Sequence, residues 1–169
     1  PNAMYRLAEL YYERSMIVYN EKTEGYEAAL EKFDNHEIDS EPELPEIDFS
    51  DSIRLYTEMI RRFPDFEYIG SVYYLLGYCY SESGQGDKAV AVWLTLIEKG
   101  LAGENYVELR LRLGDYYFAE NDLKKAEVQY LEGKKFPESN FYDQILYKLA
   151  WTYYRQFRLE DAVKTFTQL

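Results

Sequence analysis

Few side chains in this sequence can do covalent chemistry. His36 is its one histidine and Cys79 its one cysteine. Nucleophilic catalysis needs a nucleophile, a base and a group that orients the base. His36 stands in an acidic stretch and reads as a solvated loop residue. Cys79 lies inside Leu76-Gly77-Tyr78-Cys79-Tyr80 and reads as a small buried hydrophobe. A single cysteine excludes an internal disulfide and a thiolate metal cluster. Gly84-Gln85-Gly86 lacks the following Gly-Lys-Ser/Thr and the preceding strand of a phosphate loop, so it reads as a turn. Asp34 to Asp48 holds seven acids and no base. Its Asp34, Glu37, Asp39 and Glu41 do not follow calcium-loop spacing and have no central glycine, which leaves a solvated loop. On one helix, Glu108 and Asp115 would stand roughly 10 Å apart along the axis, within the range glycoside hydrolases use. Exposed helices often carry such pairs. The sequence therefore predicts no catalytic residue, no metal and no cofactor, and a protein that is not an enzyme.

Binding chemistry is better represented. Nineteen tyrosines bring the aromatic share to 18%, and tyrosine offers large contact area at low side-chain entropy plus a hydroxyl. The net charge of −12 excludes nucleic acid, which selects a basic patch, and disfavours an anionic membrane surface. Residues 1–50 carry 13 acids and 4 bases, and the remainder is nearly balanced. No apolar run approaches the ~20 residues that span a bilayer. The cysteine count fits the cytosol and the periplasm equally. The pattern starts and stops in mid-repeat at Pro1 and Leu169, which reads as a segment of a longer protein.

The elements that must position these rings follow from an internal repeat. Tyr73-x-x-Leu76-Gly77-x-x-Tyr80 is followed by Ala89-x-x-x-Trp93. Arg110-x-x-Leu113-Gly114-x-x-Tyr117 is followed by Ala126-x-x-x-Tyr130, and Leu146-x-x-Leu149-Ala150-x-x-Tyr153 by Ala162-x-x-x-Phe166. Leucine, a small residue and an aromatic at helical spacing make one face of a first helix. A turn follows, then a second helix whose alanine sits at the helix crossing. Asp87 and Asp161 read as helix-start residues. Phe63-Pro64 and Phe136-Pro137 end two second helices, and Gly100 with Gly103 end another. A split fourth copy stands in front: Met4-x-x-Leu7-Ala8-x-x-Tyr11 as its first helix and Ser52 to Met59 as its second. Between them the sequence predicts a long or broken helix to about Phe33, then the acidic loop.

The pattern resembles the tetratricopeptide repeat family. Arg110 and Leu146 depart from the aromatic usual at the motif start. The resemblance implies an all-α solenoid of antiparallel helix hairpins in a right-handed superhelix. The expected division of 1–169 is one domain with an interrupted repeat at 1–64, an acidic insertion at about 34–48, and repeats at 68–103, 104–139 and 140–169. The resemblance also implies a concave groove lined by four motif positions of each first helix. Carried over residue by residue, these are Ser71, Tyr74, Tyr78 and Ser81, then Glu108, Leu111, Asp115 and Phe118. The last intact repeat adds Gln144, Tyr147, Trp151 and Tyr154, and the split repeat adds Tyr5, Glu9 and Tyr12. Such a groove suits a protein or peptide ligand with apolar, proline or basic residues. Chaperone-binding members grip a terminal carboxylate with lysine and asparagine, where this chain has Tyr, Glu, Asp and Trp. Phe136-Pro137-Glu138-Ser139 and Leu146 to Tyr154 are similar to bacterial cell-envelope members of the outer-membrane-assembly and Tol–Pal-associated type, which implies a periplasmic or envelope complex. A structural spacer, self-associating through Val163, Phe166 and Leu169, is the other reading.

Overall fold

An apolar stripe with a small residue at its centre obliges a helix to bury that stripe closely against a neighbour. The computed structural model describes residues 1–169 and contains eight α-helices and no strand. They are α1 (Asn2–Asp34), α2 (Ser50–Arg62), α3 (Ile69–Glu82), α4 (Gly86–Glu98), α5 (Tyr106–Ala119), α6 (Leu123–Gly133), α7 (Tyr142–Arg155) and α8 (Leu159–Phe166), with a short 3-10 turn at Gly103–Asn105. The chain is thus all-α, built of helix hairpins. It divides into two compact units, Pro1–Val92 and Trp93–Leu169, with the boundary inside α4.

In the first unit α1 packs on α2, and α2 on α3. Ala8, Leu55, Tyr56, Met59, Val72 and Cys79 form its core with Phe49. Ser52 occupies the crossing place that alanine holds in the regular repeats. It is fully buried, and its hydroxyl donates to the Ala8 carbonyl at 3.2 Å. Burial pushes the Cys79 thiol up to about 12, in keeping with a packing role. α1 runs unbroken for 33 residues. Gly25 does not interrupt it, since one exposed glycine costs a helix only about 1 kcal/mol relative to alanine. Residues 35–49 then return without regular structure.

In the second unit α5 pairs with α6 and α7 with α8, and α7 also lies on α6. Gly114 shows why the repeat keeps a small residue on its first helix. A Cβ there would stand 2.3 Å from Cε1 of Tyr130. Tyr130 itself is fully buried, and its hydroxyl donates to Asp115 at 2.7 Å.

Helix ends repeat one device. α1, α3, α4, α5 and α7 each stop at a residue with positive φ: His36, Gly84, Gly100, Asn121 and Phe157. At each, the following amide reaches back to a carbonyl five residues earlier, as Leu101 does to Leu96 at 3.1 Å and Arg158 to Tyr153 at 2.9 Å. This is the six-to-one bond of a left-handed helix stop. His36 thus ends α1. Asp87 and Asp161 lie within the first turns of α4 and α8 rather than before them. Asp122 caps α6 with its side chain, accepting from the Lys125 amide at 3.1 Å, and Asp48 accepts from the first amide of α2, that of Ser50, at 2.9 Å.

Candidate functional site

The residues singled out by the sequence divide between the two units. In the first, Tyr5, Tyr12, Tyr74 and Tyr78 are all half-buried. Tyr5 stacks on Tyr68 at 6.1 Å and tilts against Phe66 at 5.8 Å. Burial, then the neighbouring Glu9 carboxylate, raises its hydroxyl above the ordinary tyrosine range. Tyr12 stacks on Phe49 at 5.1 Å and meets Tyr78 edge-on at 6.2 Å. Burial, with Tyr78 beside it, pushes Tyr12 up to about 12. These rings serve largely to pack α1 onto its neighbours.

In the second unit the acids are already engaged. Glu108 accepts from Arg112 at 2.8 Å. Asp115 accepts the Tyr130 hydroxyl and pairs with Lys148 of α7 at 3.1 Å. Phe118 lies beneath the Arg155 guanidinium, 4.5 Å from its ring centre. Leu111, at another groove position, is buried. Each of these is linked to, or covered within, the same unit.

α7 differs. Tyr147, Trp151 and Tyr154 stand 47%, 39% and 53% exposed on one side of it. Their rings follow one another edge to face, Tyr147 to Trp151 at 6.3 Å and Trp151 to Tyr154 at 5.5 Å. Phe166 of α8 lies against Tyr147 and Trp151 at 6.1 and 6.0 Å. Leu159 and Val163 of α8 are exposed beside them. The sequence missed Phe157, which is 90% exposed. It occupies the left-handed position (φ 61°) that Gly84 and Asn121 occupy after α3 and α5. A bulky side chain there is an outlier, since the left-handed region favours glycine and asparagine. Aligning the three turns by their distance from the repeat's alanine would have exposed it.

One depression in the second unit is walled by Ile97, Ala102, Tyr106, Val107, Phe136 and Phe141, and is also lined by Glu104, Glu138 and Ser139. No cluster of three or more His, Cys, Asp or Glu is placed to hold a metal ion. No helix is long and apolar enough to cross a membrane.

Comparison with known families agrees with this geometry. Residues 71–99 and 144–169 match the family model described as tetratricopeptide repeat. The matched stretches cover α3 with α4 and most of α7 with α8, so these hairpins are similar to that repeat. No curated protein matches the chain.

Proposed function

We propose that this chain is a protein-interaction scaffold whose principal contact surface is the aromatic face of α7. The observation that carries the reading is the exposed ladder Tyr147, Trp151 and Tyr154, backed by Phe166. Rings so placed are typical anchors of protein contacts, giving large area for few rotatable bonds. The match of two segments to the tetratricopeptide repeat supports it, because such repeats generally mediate protein–protein interaction. The ligand proposed for these rings is a protein or peptide with apolar, proline or basic residues. Within the second unit, Glu108, Asp115 and Phe118 support that surface, and within the first unit Tyr5, Tyr12, Tyr74 and Tyr78 form a separate candidate contact patch. A bacterial envelope complex as its setting rests on the resemblance of residues 136–154 alone.

The test is peptide binding read by Trp151 emission or calorimetry, using arrays of apolar, proline-containing and basic sequences. Alanine at Tyr147 or Tyr154 should weaken the best binder at least about tenfold, roughly 1.4 kcal/mol, with helical content unchanged. Undiminished binding by both variants would remove α7 as the contact surface. Alanine at Tyr74 should cost less, because that ring is half-buried.

A second reading has its own observation. Phe157, Leu159, Val163 and Leu169 are 90%, 55%, 63% and 57% exposed, an apolar margin suited to assembly of the protein with itself.

A further inference from the structure

Two of the loops that lead from one hairpin to the next share a backbone. In the α2–α3 loop the Phe66 amide bonds to the Phe63 carbonyl at 3.0 Å, and the Ile69 amide to the Phe66 carbonyl at 2.9 Å. In the α6–α7 loop the Ser139 amide bonds to the Phe136 carbonyl at 3.1 Å, and the Tyr142 amide to the Ser139 carbonyl at 3.0 Å. Phe63-Pro64 therefore corresponds to Phe136-Pro137, Phe66 to Ser139 and Tyr68 to Phe141. Phe66 packs its ring against the core of the first unit, tilted on Tyr5 at 5.8 Å and edge-on to Tyr68 at 5.5 Å. Ser139 has no ring to place there. Its hydroxyl turns to its own loop and accepts from the Phe141 amide at 3.3 Å.

Where Phe66 fills the first loop, a depression opens at Ser139. Its volume is near 610 Å³, within the roughly 300–1,000 Å³ usual for ligand sites. Tyr106, Phe136 and Phe141 wall it beside Ser139, so a ring seated there meets other rings, as Phe66 meets Tyr68. Its charge is one-sided. Glu104 and Glu138 line it, exposed and without an ion pair, and no lysine or arginine lines it. The nearby cations are engaged, Arg110 donating to Gln129 at 2.6 Å and Lys135 pairing with Glu132 at 2.6 Å. α4 and α6 end on this side of the unit while α5 and α7 begin, so the opposite partial charges of their termini offset. The two carboxylates set the sign.

We propose that this depression seats an aromatic side chain of a partner polypeptide, carried beside a basic residue. The protein's own Phe66 shows the kind of group that the shared loop backbone accommodates. Glu104 and Glu138 favour a flanking cation and disfavour a flanking acid, which fits a chain of net charge −12. The site goes beyond the α7 surface and stands apart from it, since Tyr147, Trp151 and Tyr154 do not line it.

The test is titration of the isotope-labelled 169-residue chain with the end-blocked peptide Gly-Arg-Phe-Arg-Gly, followed by nuclear magnetic resonance. The amides of Glu104, Val107, Ser139 and Phe141 should shift together. Alanine in place of the peptide's phenylalanine should weaken binding more than about tenfold, and glutamate in place of its arginines should weaken it as much. Ser139→Phe puts the ring of the first loop into the second and should close the seat, again with a loss of more than about tenfold. Circular dichroism reports whether that variant is folded, and the peptide series needs no variant, so it decides even where Ser139→Phe does not fold. Glu104→Gln with Glu138→Gln should weaken binding about threefold and flatten its salt dependence. Undiminished binding by folded Ser139→Phe, by the double glutamine variant or of the alanine peptide overturns the proposal. So does a peptide that shifts none of these amides. Shifts confined to Tyr147, Trp151 and Tyr154 also overturn it, while the α7 surface stands.

Discussion

Replacing Gly114 by alanine adds one methyl at the crossing of α5 and α6. The ideal Cβ would stand 2.3, 2.6 and 2.7 Å from three carbons of the Tyr130 ring. Carbon pairs settle near 3.5–4.0 Å, so the ring must retreat by about 1 Å. Tyr130 has little freedom to do so, being fully buried and bonded to Asp115. Overpacking of this kind costs about 1–3 kcal/mol. Stretching a hydrogen bond to a charged acceptor adds up to about 1.5–3 kcal/mol. Against this, alanine gains about 1 kcal/mol in helix propensity over glycine. The expected net effect is a loss of about 2 kcal/mol. Gly25→Ala is the internal control: nothing lies within 4 Å of its Cβ. It should therefore stabilise the long helix by about 0.5–1 kcal/mol. Urea unfolding followed by circular dichroism reads both as shifts in midpoint at unchanged slope. Tyr130→Leu in the Gly114→Ala background should recover part of the loss, as coupled neighbours do in a double-mutant cycle. If Gly114→Ala stabilises the chain as much as Gly25→Ala does, the close approach of Tyr130 does not govern this position.

Tyr56 and Tyr130 hold the same repeat position, yet Tyr130 bonds to Asp115 while the buried Tyr56 hydroxyl has no partner. Tyr130→Phe should cost about 1–2 kcal/mol and Tyr56→Phe should be neutral or stabilising, measured by thermal or urea unfolding. Phe157→Asn should raise stability by about 1 kcal/mol, because asparagine tolerates the left-handed backbone better; an unchanged or lowered midpoint refutes the strain argument. Alkali should also destabilise. Tyr12 is pushed up to about 12, and burial raises Tyr56 and Tyr130 further. A raised tyrosine pKa contributes stability that is whole below about pH 10, the unfolded value, and is lost as pH rises through the folded one. Unfolding midpoints should hold steady to about pH 10 and fall toward pH 12, while a flat profile would contradict these shifts.

The hairpins were readable because their signal is local. Leu113-Gly114 and Tyr117 share one helix face, and Ala126 with Tyr130 share the next. Spacing alone brings such sets together. The exposed surface was harder to read, because exposure at a motif position is decided by whatever packs on it. Leu111 and Tyr147 hold the same motif position, but the first is buried and the second half open. Asp115 holds a groove position by its spacing, but its links to Tyr130 of α6 and Lys148 of α7 come from packing that spacing does not show. Asp87 and Asp161 read as helix-start residues and lie in the first turns of α4 and α8, whereas the capping role of Asp122 is recognisable only once its side chain meets the Lys125 amide. Phe157 escaped notice because phenylalanine contradicts the backbone it adopts, and propensity reasoning looks for agreement.

α1 is one helix in geometry but two in its dependence on the rest of the chain. Its residues that join the core end at Met16. Beyond them, Lys22, Gly25, Tyr26 and Ala29 face Pro42–Glu46 of the returning segment. Ser15 donates to the Asp48 carbonyl at 2.5 Å, near the point where that segment rejoins the first helical half. The outer half should therefore open and close on its own, exchanging its amide hydrogens faster than the half around Ala8. A single protease cut in the return would free it to fray while the repeat stayed folded. The extension behaves as a separately melting limb, whose shedding leaves the scaffold intact.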